Sequence, residues 1–249
     1  MAIIETKKLC HRFADGTPAL DDVSLRFEKG EFTVIAGANG SGKTTLLRHF
    51  NGLLLPVSGS VAVEGMAVDK DLSKVRQKVG MVFQDADSQI VGETVYDDVA
   101  FGPENLGLTR PQIDRRVGRA LAVVGLAGQE DKRPHHLSGG EKRRLAIAGV
   151  LAMEPGVLLM DEPFSNLDYP ATCRVLDQIL KLHRSGHTVI ITTHDLEKVV
   201  AHAKRLVIMA AGRVVEDGVP QKVIEGIERF GIRPPCSVQL GRGILPWAR

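Results

Sequence analysis

Three observations predict an α/β fold with a parallel sheet at its centre. Four short apolar runs, at 79–83, 157–160, 188–192 and 206–209, alternate little and are separated by helical patterns, the signature of strands buried on both faces. Near the N-terminus, Val23 to Phe27 and Ser60 to Gly65 alternate apolar with polar, which predicts an antiparallel β layer of half-buried strands. Between about Thr109 and His136 the periodicity is helical, with Pro111 near a helix start and Leu121, Val124 and Leu126 on the apolar side. A small helical subdomain is therefore expected within about residues 86–142.

In chain order, Gly16, Pro18 and Gly30 punctuate the first strands. The apolar strand Phe32 to Ala36 then runs into Gly37-Ala38-Asn39-Gly40-Ser41-Gly42-Lys43-Thr44, a full match to G-x-x-x-x-G-K-[ST]. A helix with Leu46, Leu47 and Phe50 on one face leaves it and closes at Gly52. Glycines at 37, 40 and 42 let the backbone turn through positive φ, so successive N–H groups can form an anion nest at a helix N-terminus. Lys43 adds a point charge for the β- and γ-phosphates, and the Thr44 hydroxyl is a hard oxygen ligand for Mg²⁺. The expected ligand is a magnesium nucleoside triphosphate. Its binding residues would be Gly37, Ala38, Asn39, Gly40, Ser41, Gly42, Lys43, Thr44 and Thr45. Phe13, on a loop beside His11 and Arg12, either stacks on the base or fills the core, and local sequence favours the core.

Polar residues close three of the buried runs: Gln84 the first, Asp161-Glu162 the second and Thr193-His194-Asp195 the third. Ligands of open α/β sheets bind at the carboxyl ends of strands, where the phosphate loop must also lie. Asp161 is the expected acidic partner of Mg²⁺ opposite Thr44. Glu162 is placed to act as general base on water, Gln84 to offer its amide oxygen to Mg²⁺ or that water, and His194 to donate to the γ-phosphate. Each taken singly could be a loop anchor; as a set downstream of a phosphate loop, the catalytic reading is preferred. Ser138-Gly139-Gly140-Glu141 precedes a helix and forms a capping box, and its two glycines exceed what a cap needs, freeing N–H groups for a second anion contact.

Taken in this order, the phosphate loop, Gln84, Leu137 to Glu141, Val157 to Pro163, Ser165 to Asp168 and His194 resemble the nucleotide-binding subunit of an ATP-binding cassette transporter over residues 2–220. The resemblance implies a P-loop NTPase core, a nucleotide-binding domain over 1–219 and a C-terminal tail over 220–249. It also implies a homodimer or heterodimer in which ATP lies between one subunit's phosphate loop and the other's Ser138, Gly139 and Gly140, with Asp168 at the interface. Phe13 then matches the position that stacks on adenine, where the family more often has tyrosine.

Phe83 to Val91 and Thr94 to Leu106 are similar, more narrowly, to the ATPases of energy-coupling factor transporters, although Asp85-Ala86 stand where those usually have Asn-Pro. This implies an ATPase driving uptake of a metal ion (cobalt or nickel) or a vitamin, peripheral on the cytoplasmic face of the cell membrane. Its partners would be an integral membrane scaffold protein and a small substrate-binding membrane protein. Glu93, Asp97 and Asp98, beside Ile90, Val91 and Val95, are candidates for docking basic groups of that scaffold; the alternative is a solvated acidic helix start.

Composition adds bounds. Of 249 residues, 32 are basic and 30 acidic, a net charge of +2 that demands neither nucleic acid nor an acidic surface. Lys142-Arg143-Arg144 are too few for a nucleic-acid patch and read as solvated or nucleotide-facing. Cys10, Cys173 and Cys236 are odd in number and scattered, which fits a reduced compartment. No apolar run approaches the ~20 residues that span a bilayer, and the N-terminus is not a signal peptide. His135-His136 read as loop residues that face apart rather than as metal ligands. Beyond Pro220 an extended tail, pinned by a few apolar contacts, is expected. The rivals are a soluble cassette ATPase acting on nucleic acid or ribosomes, and a nucleotide sensor that does not hydrolyse.

Overall fold

The computed structural model describes residues 2–247. Strand β1 (Ala2–Arg12) pairs antiparallel with β2 (Pro18–Glu28), and the chain then enters β3 (Phe32–Ala36), in which all five residues are buried. Helix α1 (Lys43–Phe50) follows the glycine loop and delivers the chain to β4 (Ser58–Val63), which pairs with the other edge of β1, and to the short β5 (Met66–Ala67). The antiparallel layer is thus β2-β1-β4-β5. β1 has no counterpart among the expected strands because its pattern is broken: Lys8 sits at φ +45 and the pairing with β2 shifts register four times.

Helix α2 (Leu72–Lys78) leads into β6 (Val79–Val82), and helices α3 (Val95–Asn105), α4 (Arg110–Val124) and α5 (Gly139–Leu151) form the helical subdomain. Helix α4 ends where Gly125 turns to φ +68, and only a single 3-10 turn, Pro134–His136, lies between it and α5. Of the helices expected over 109–136, α4 stops at the left-handed Gly125, and residues 125–133 carry no helix. Strand β7 (Val157–Asp161), helix α6 (Tyr169–Arg184), β8 (Thr188–Thr193), β9 (Arg205–Ala210) and β10 (Arg213–Gly218) complete the large sheet. Its order is β10-β9-β3-β8-β7-β6, parallel except for β10.

Alternate residues of this sheet enter two cores. Phe32, Val34, Val189, Ile191, Leu206 and Ile208 face the helical subdomain and α6. Ile35, Ile190, Val207 and Met209 face α1 and the antiparallel layer, where Phe27 and Phe50 meet edge to face at 5.3 Å. Both faces are covered, which is why these strands read as continuous apolar runs.

Residues 220–247 are folded rather than extended. Helix α7 (Pro220–Val223) and the turn after it bury Val223, Ile224, Ile227 and Ile232 in the larger core, and α8 (Cys236–Gln239) follows. The spacing of these isoleucines is too short and irregular to advertise a helix. Trp247 ends on Tyr169, ring centroids 5.0 Å apart.

Candidate active site

Strands β3, β8, β7 and β6 are adjacent and parallel, so their carboxyl ends share one edge. The glycine loop leaves β3 there, and Gln84, Asp161-Glu162 and Thr193-His194 leave the others. Gly40 and Gly42 adopt φ +78 and +99, and a Cβ on Gly37 would lie 2.4 Å from the Met209 carbonyl oxygen. The loop thus needs glycine at all three positions. It lines a cavity of about 500 Å³ together with Phe13, Thr17, Pro18, Ala19, Gln84 and Glu162.

At the cavity floor Lys43 is buried, its Nζ donating to the carbonyls of Gly37 (2.7 Å) and Ala38 (3.0 Å). Burial lowers its pKa from the usual lysine value, while the charges of Glu162 and Asp161 work the other way. Thr44 Oγ1 donates to Asp161 Oδ2 at 2.7 Å, and Thr192 Oγ1 to Asp161 Oδ1 at 2.5 Å. A hydroxyl and a carboxylate held together beside the phosphate loop are hard oxygen donors of the kind Mg²⁺ takes. Glu162 is also buried. Its Oε1 meets His194 Nδ1 at 2.9 Å and its Oε2 accepts from Thr193 Oγ1 at 3.2 Å. The arrangement presents a fixed carboxylate to the cavity, as a general base requires.

The sequence-derived residues divide in space. Phe13, Asn39 to Thr45, Gln84 and Glu162 line the cavity, Gly37 and Ala38 hold Lys43, and Asp161 lies behind Thr44. Phe13 is 43% exposed, which corrects the core reading: the strand turns away at Arg12 and leaves the ring beside the loop. His194 reaches the cavity only through Glu162; it lines a second cavity of about 270 Å³ with Ser165, Asn166 and Lys198 and another of about 380 Å³ with Glu197 and Arg233. Ser138, Gly139, Gly140 and Asp168 do not line the nucleotide cavity. Ser138 caps α5 in a capping box with Glu141, and Asp168 caps α6 through the Ala171 N–H at 2.8 Å.

Asp98 cannot meet a partner. It is 8% exposed, and its Oδ1 accepts from the Val91 and Gly92 N–H groups at 2.8 and 3.1 Å. Burial pushes its pKa up, partly offset by those two bonds. Asp97 remains exposed, with Oδ2 in the Thr94 capping box, and Glu93 is exposed. The basic triplet is neither solvated nor nucleotide-facing: Lys142 pairs with Asp87 at 2.5 Å, Arg143 donates to the Phe83 and Gln84 carbonyls, and Arg144 to those of Val124 and Gly125. The rings of His135 and His136 do not face apart but meet edge to face at 4.2 Å. Among the described residues no cluster of His, Cys, Asp and Glu is placed to hold a metal by itself. In the sequence Thr193 reads only as a polar residue closing a buried run, and Thr192 only as a β-branched strand residue; neither has a role until the fold sets them against the carboxylates.

Residues 20–165 match the ABC transporter family. The chain belongs to that family. Similar proteins include the energy-coupling factor transporter ATP-binding protein of Methanocaldococcus jannaschii, 44% identical and covering 96% of this chain and 88% of the relative. The protein of the same name from Methanothermobacter thermautotrophicus is 43% identical, covering 96% and 78%. A putative ABC transporter ATP-binding protein of Halobacterium salinarum is 50% identical over 94% of this chain and all of its own length. Among solved structures, cbiO1 of Clostridium perfringens, described as part of the ABC transporter complex cbiONQ, superposes with a TM-score of 0.83 at 39% identity over 92% of both chains. The resemblance to energy-coupling factor ATPases thus holds across the chain. As an ABC transporter ATPase it hydrolyses ATP in a reaction coupled to transport.

Proposed function

We propose that this ABC transporter ATPase powers uptake of a metal ion, cobalt or nickel, or of a vitamin, in a transporter of the energy-coupling factor type. It would work as a homodimer or heterodimer, peripheral on the cytoplasmic face of the cell membrane, with an integral scaffold protein and a small substrate-binding membrane protein. The relatives' names support the transporter type. That no described helix is long and apolar enough to cross a membrane is compatible with a peripheral place.

The observation that carries the catalytic reading is the Glu162 carboxylate, held by Thr193 and His194 on the wall of the cavity that the phosphate loop lines. Glu162 takes a proton from water as that water attacks the γ-phosphorus, and His194 keeps the carboxylate oriented. Lys43 and the loop N–H groups hold the triphosphate, and Phe13 flanks the base. Thr44, Asp161 and Gln84 would hold Mg²⁺, which neutralises phosphate charge when bound. Ser138, Gly139 and Gly140, away from this cavity, suit contact with ATP held by the other subunit, and Asp168 suits the same interface.

For the membrane partner, the groove of about 560 Å³ between residues 87–93 and 133–142, with Asp87 and Glu93 in its lining, suits a helix of the scaffold, and exposed Asp97, outside that lining, would meet a basic group beside it. Glu162→Gln is expected to retain ATP binding and lose roughly 10²–10⁴-fold in turnover; normal phosphate release by that variant would take the base role from Glu162. Copurification from the native host tests the transporter reading. Two integral membrane proteins are expected, whereas ribosomes or nucleic acid in their place would overturn it.

A further inference from the structure

We propose that Arg143 is a positioning residue of the active site: it grips the backbone at Gln84, so that the Gln84 side chain is presented to the nucleotide cavity by helix α5. The inference rests on the reading of Gln84 as a group that contacts Mg²⁺ or the attacking water.

Gln84 lies beyond the last ladder pair of β6, Val82 with Met160, on an edge strand paired only with β7. Residues 83–94 contain no helix or strand. Gln89 folds this loop back by accepting from the Phe83 N–H (3.0 Å) and donating to the Met81 carbonyl (3.1 Å), but neither bond reaches Gln84. Arg143 does. It is 4% exposed, and its Nη1 and Nη2 donate to the carbonyls of Phe83 and Gln84 at 2.5 Å each.

A guanidinium suits this task because its planar fork presents two donors to two neighbouring carbonyls at once, a geometry that an ammonium does not reproduce. Its burial is costly. The charges that offset the cost are those of Asp85, next to Gln84, and of Asp161, the partner of Thr44. The neighbouring Lys142 takes Asp87 at 2.5 Å, so two successive side chains of α5 fasten both ends of residues 83–87. Helix α5 begins at Ser138, whose capping box fixes its first turn. Gln84 of the nucleotide cavity and the Ser138 end of α5 are therefore mounted on one rigid rod, although about 55 residues separate them in sequence.

The test compares Arg143→Met, Arg143→Lys and Gln84→Ala singly, and each Arg143 variant combined with Gln84→Ala. Steady-state hydrolysis is measured against ATP and against Mg²⁺, and unfolding midpoints serve as the folding control. Arg143→Met is expected to lower kcat about tenfold or more and to change the KM for ATP less than about threefold, because the phosphate loop is untouched. Arg143→Lys, which keeps the charge and one donor nitrogen but not the planar fork, should recover part of that loss, and Mg²⁺ half-saturation should rise in both. Added to Gln84→Ala, neither Arg143 variant should reduce kcat further, since both changes remove the same contact.

Losses that multiply in the double variants would overturn the proposal, as would a wild-type kcat for Arg143→Met. A silent Gln84→Ala would instead remove the reading of Gln84, and the proposal with it; the single variants separate that outcome from a failure of the linkage. Should Arg143→Met not fold, Arg143→Lys carries the same comparison.

Discussion

Glu162 occupies a left-handed backbone conformation, φ +47, that a residue with a side chain adopts at a cost of roughly 1–2 kcal/mol. It is held there by its N–H to the Thr192 carbonyl at 3.0 Å and by the two contacts to its carboxylate, so the strain belongs to a site that the fold over-determines. The identity of Glu162 was legible in the sequence as an acid after a buried run; its orientation was not, because Thr193 and His194 meet it from 31 and 32 residues away. The local preference of Phe13 for the core and the docking reading of Asp98 failed for the same reason: burial depends on what packs around a side chain, and no local pattern carries that information. A different single residue contributes to the response to acid. His49 is fully buried on α1 with its ring 4.8 Å from that of His11, and burial first, then the neighbouring His11, lowers its pKa from 6.5 to about 4. The unfolded chain accepts a proton at pH values where the fold refuses it. The share of stability that neutral His49 supplies is therefore full above pH 6.5 and is lost as pH falls toward 4, by up to about 3 kcal/mol. His49→Leu should flatten that decline, as urea unfolding at pH 7 and pH 5 will register; an unchanged difference between the two pH values would assign the acid response elsewhere.

Among the elements, helix α5 has two duties at its N-terminus that one substitution separates. Ser138 Oγ accepts from the Glu141 N–H at 3.3 Å while Glu141 Oε2 accepts from the Ser138 N–H at 2.8 Å. Loss of such a cap costs about 1 kcal/mol. Ser138→Ala is thus expected to lower the unfolding midpoint by only a few degrees yet to reduce dimer-dependent hydrolysis tenfold or more, if Ser138 also meets ATP of the other subunit. Activity that tracks stability alone would leave it as a cap. Both halves of the capping box were visible in the sequence, because a cap is a contact between residues three apart. The role of the basic triplet after it was not visible, since a long cationic side chain reads the same whether it reaches water or a distant carbonyl. Strand β1 escaped notice because its bulges break the period that would announce it.

For the molecule as a whole, the predicted class held because two faces of one sheet demand two apolar covers, and that demand is written along each strand. The C-terminal segment was harder to read, as four scattered apolar residues carry its packing. Burial of a Val or Ile side chain is worth about 1.5–3 kcal/mol, so removal of Val223, Ile224, Ile227 and Ile232 strips about 6–12 kcal/mol, comparable with the whole stability of a typical domain. Truncation after residue 219 should give insoluble or unfolded protein, whereas truncation after residue 240 should leave a cooperative unfolding transition; solubility and circular dichroism distinguish them. The same sheet also imposes an order in time. Strand β3, which feeds the phosphate loop, is flanked by β8 and β9, and these end at Thr193 and Ala210. At the roughly 5–20 residues per second of synthesis, a nascent chain carries its glycine loop for about ten to thirty seconds before either neighbour exists. Until then β3 lacks both its neighbours in the sheet, so a nucleotide site built on β3 waits for residues 188–210 to emerge.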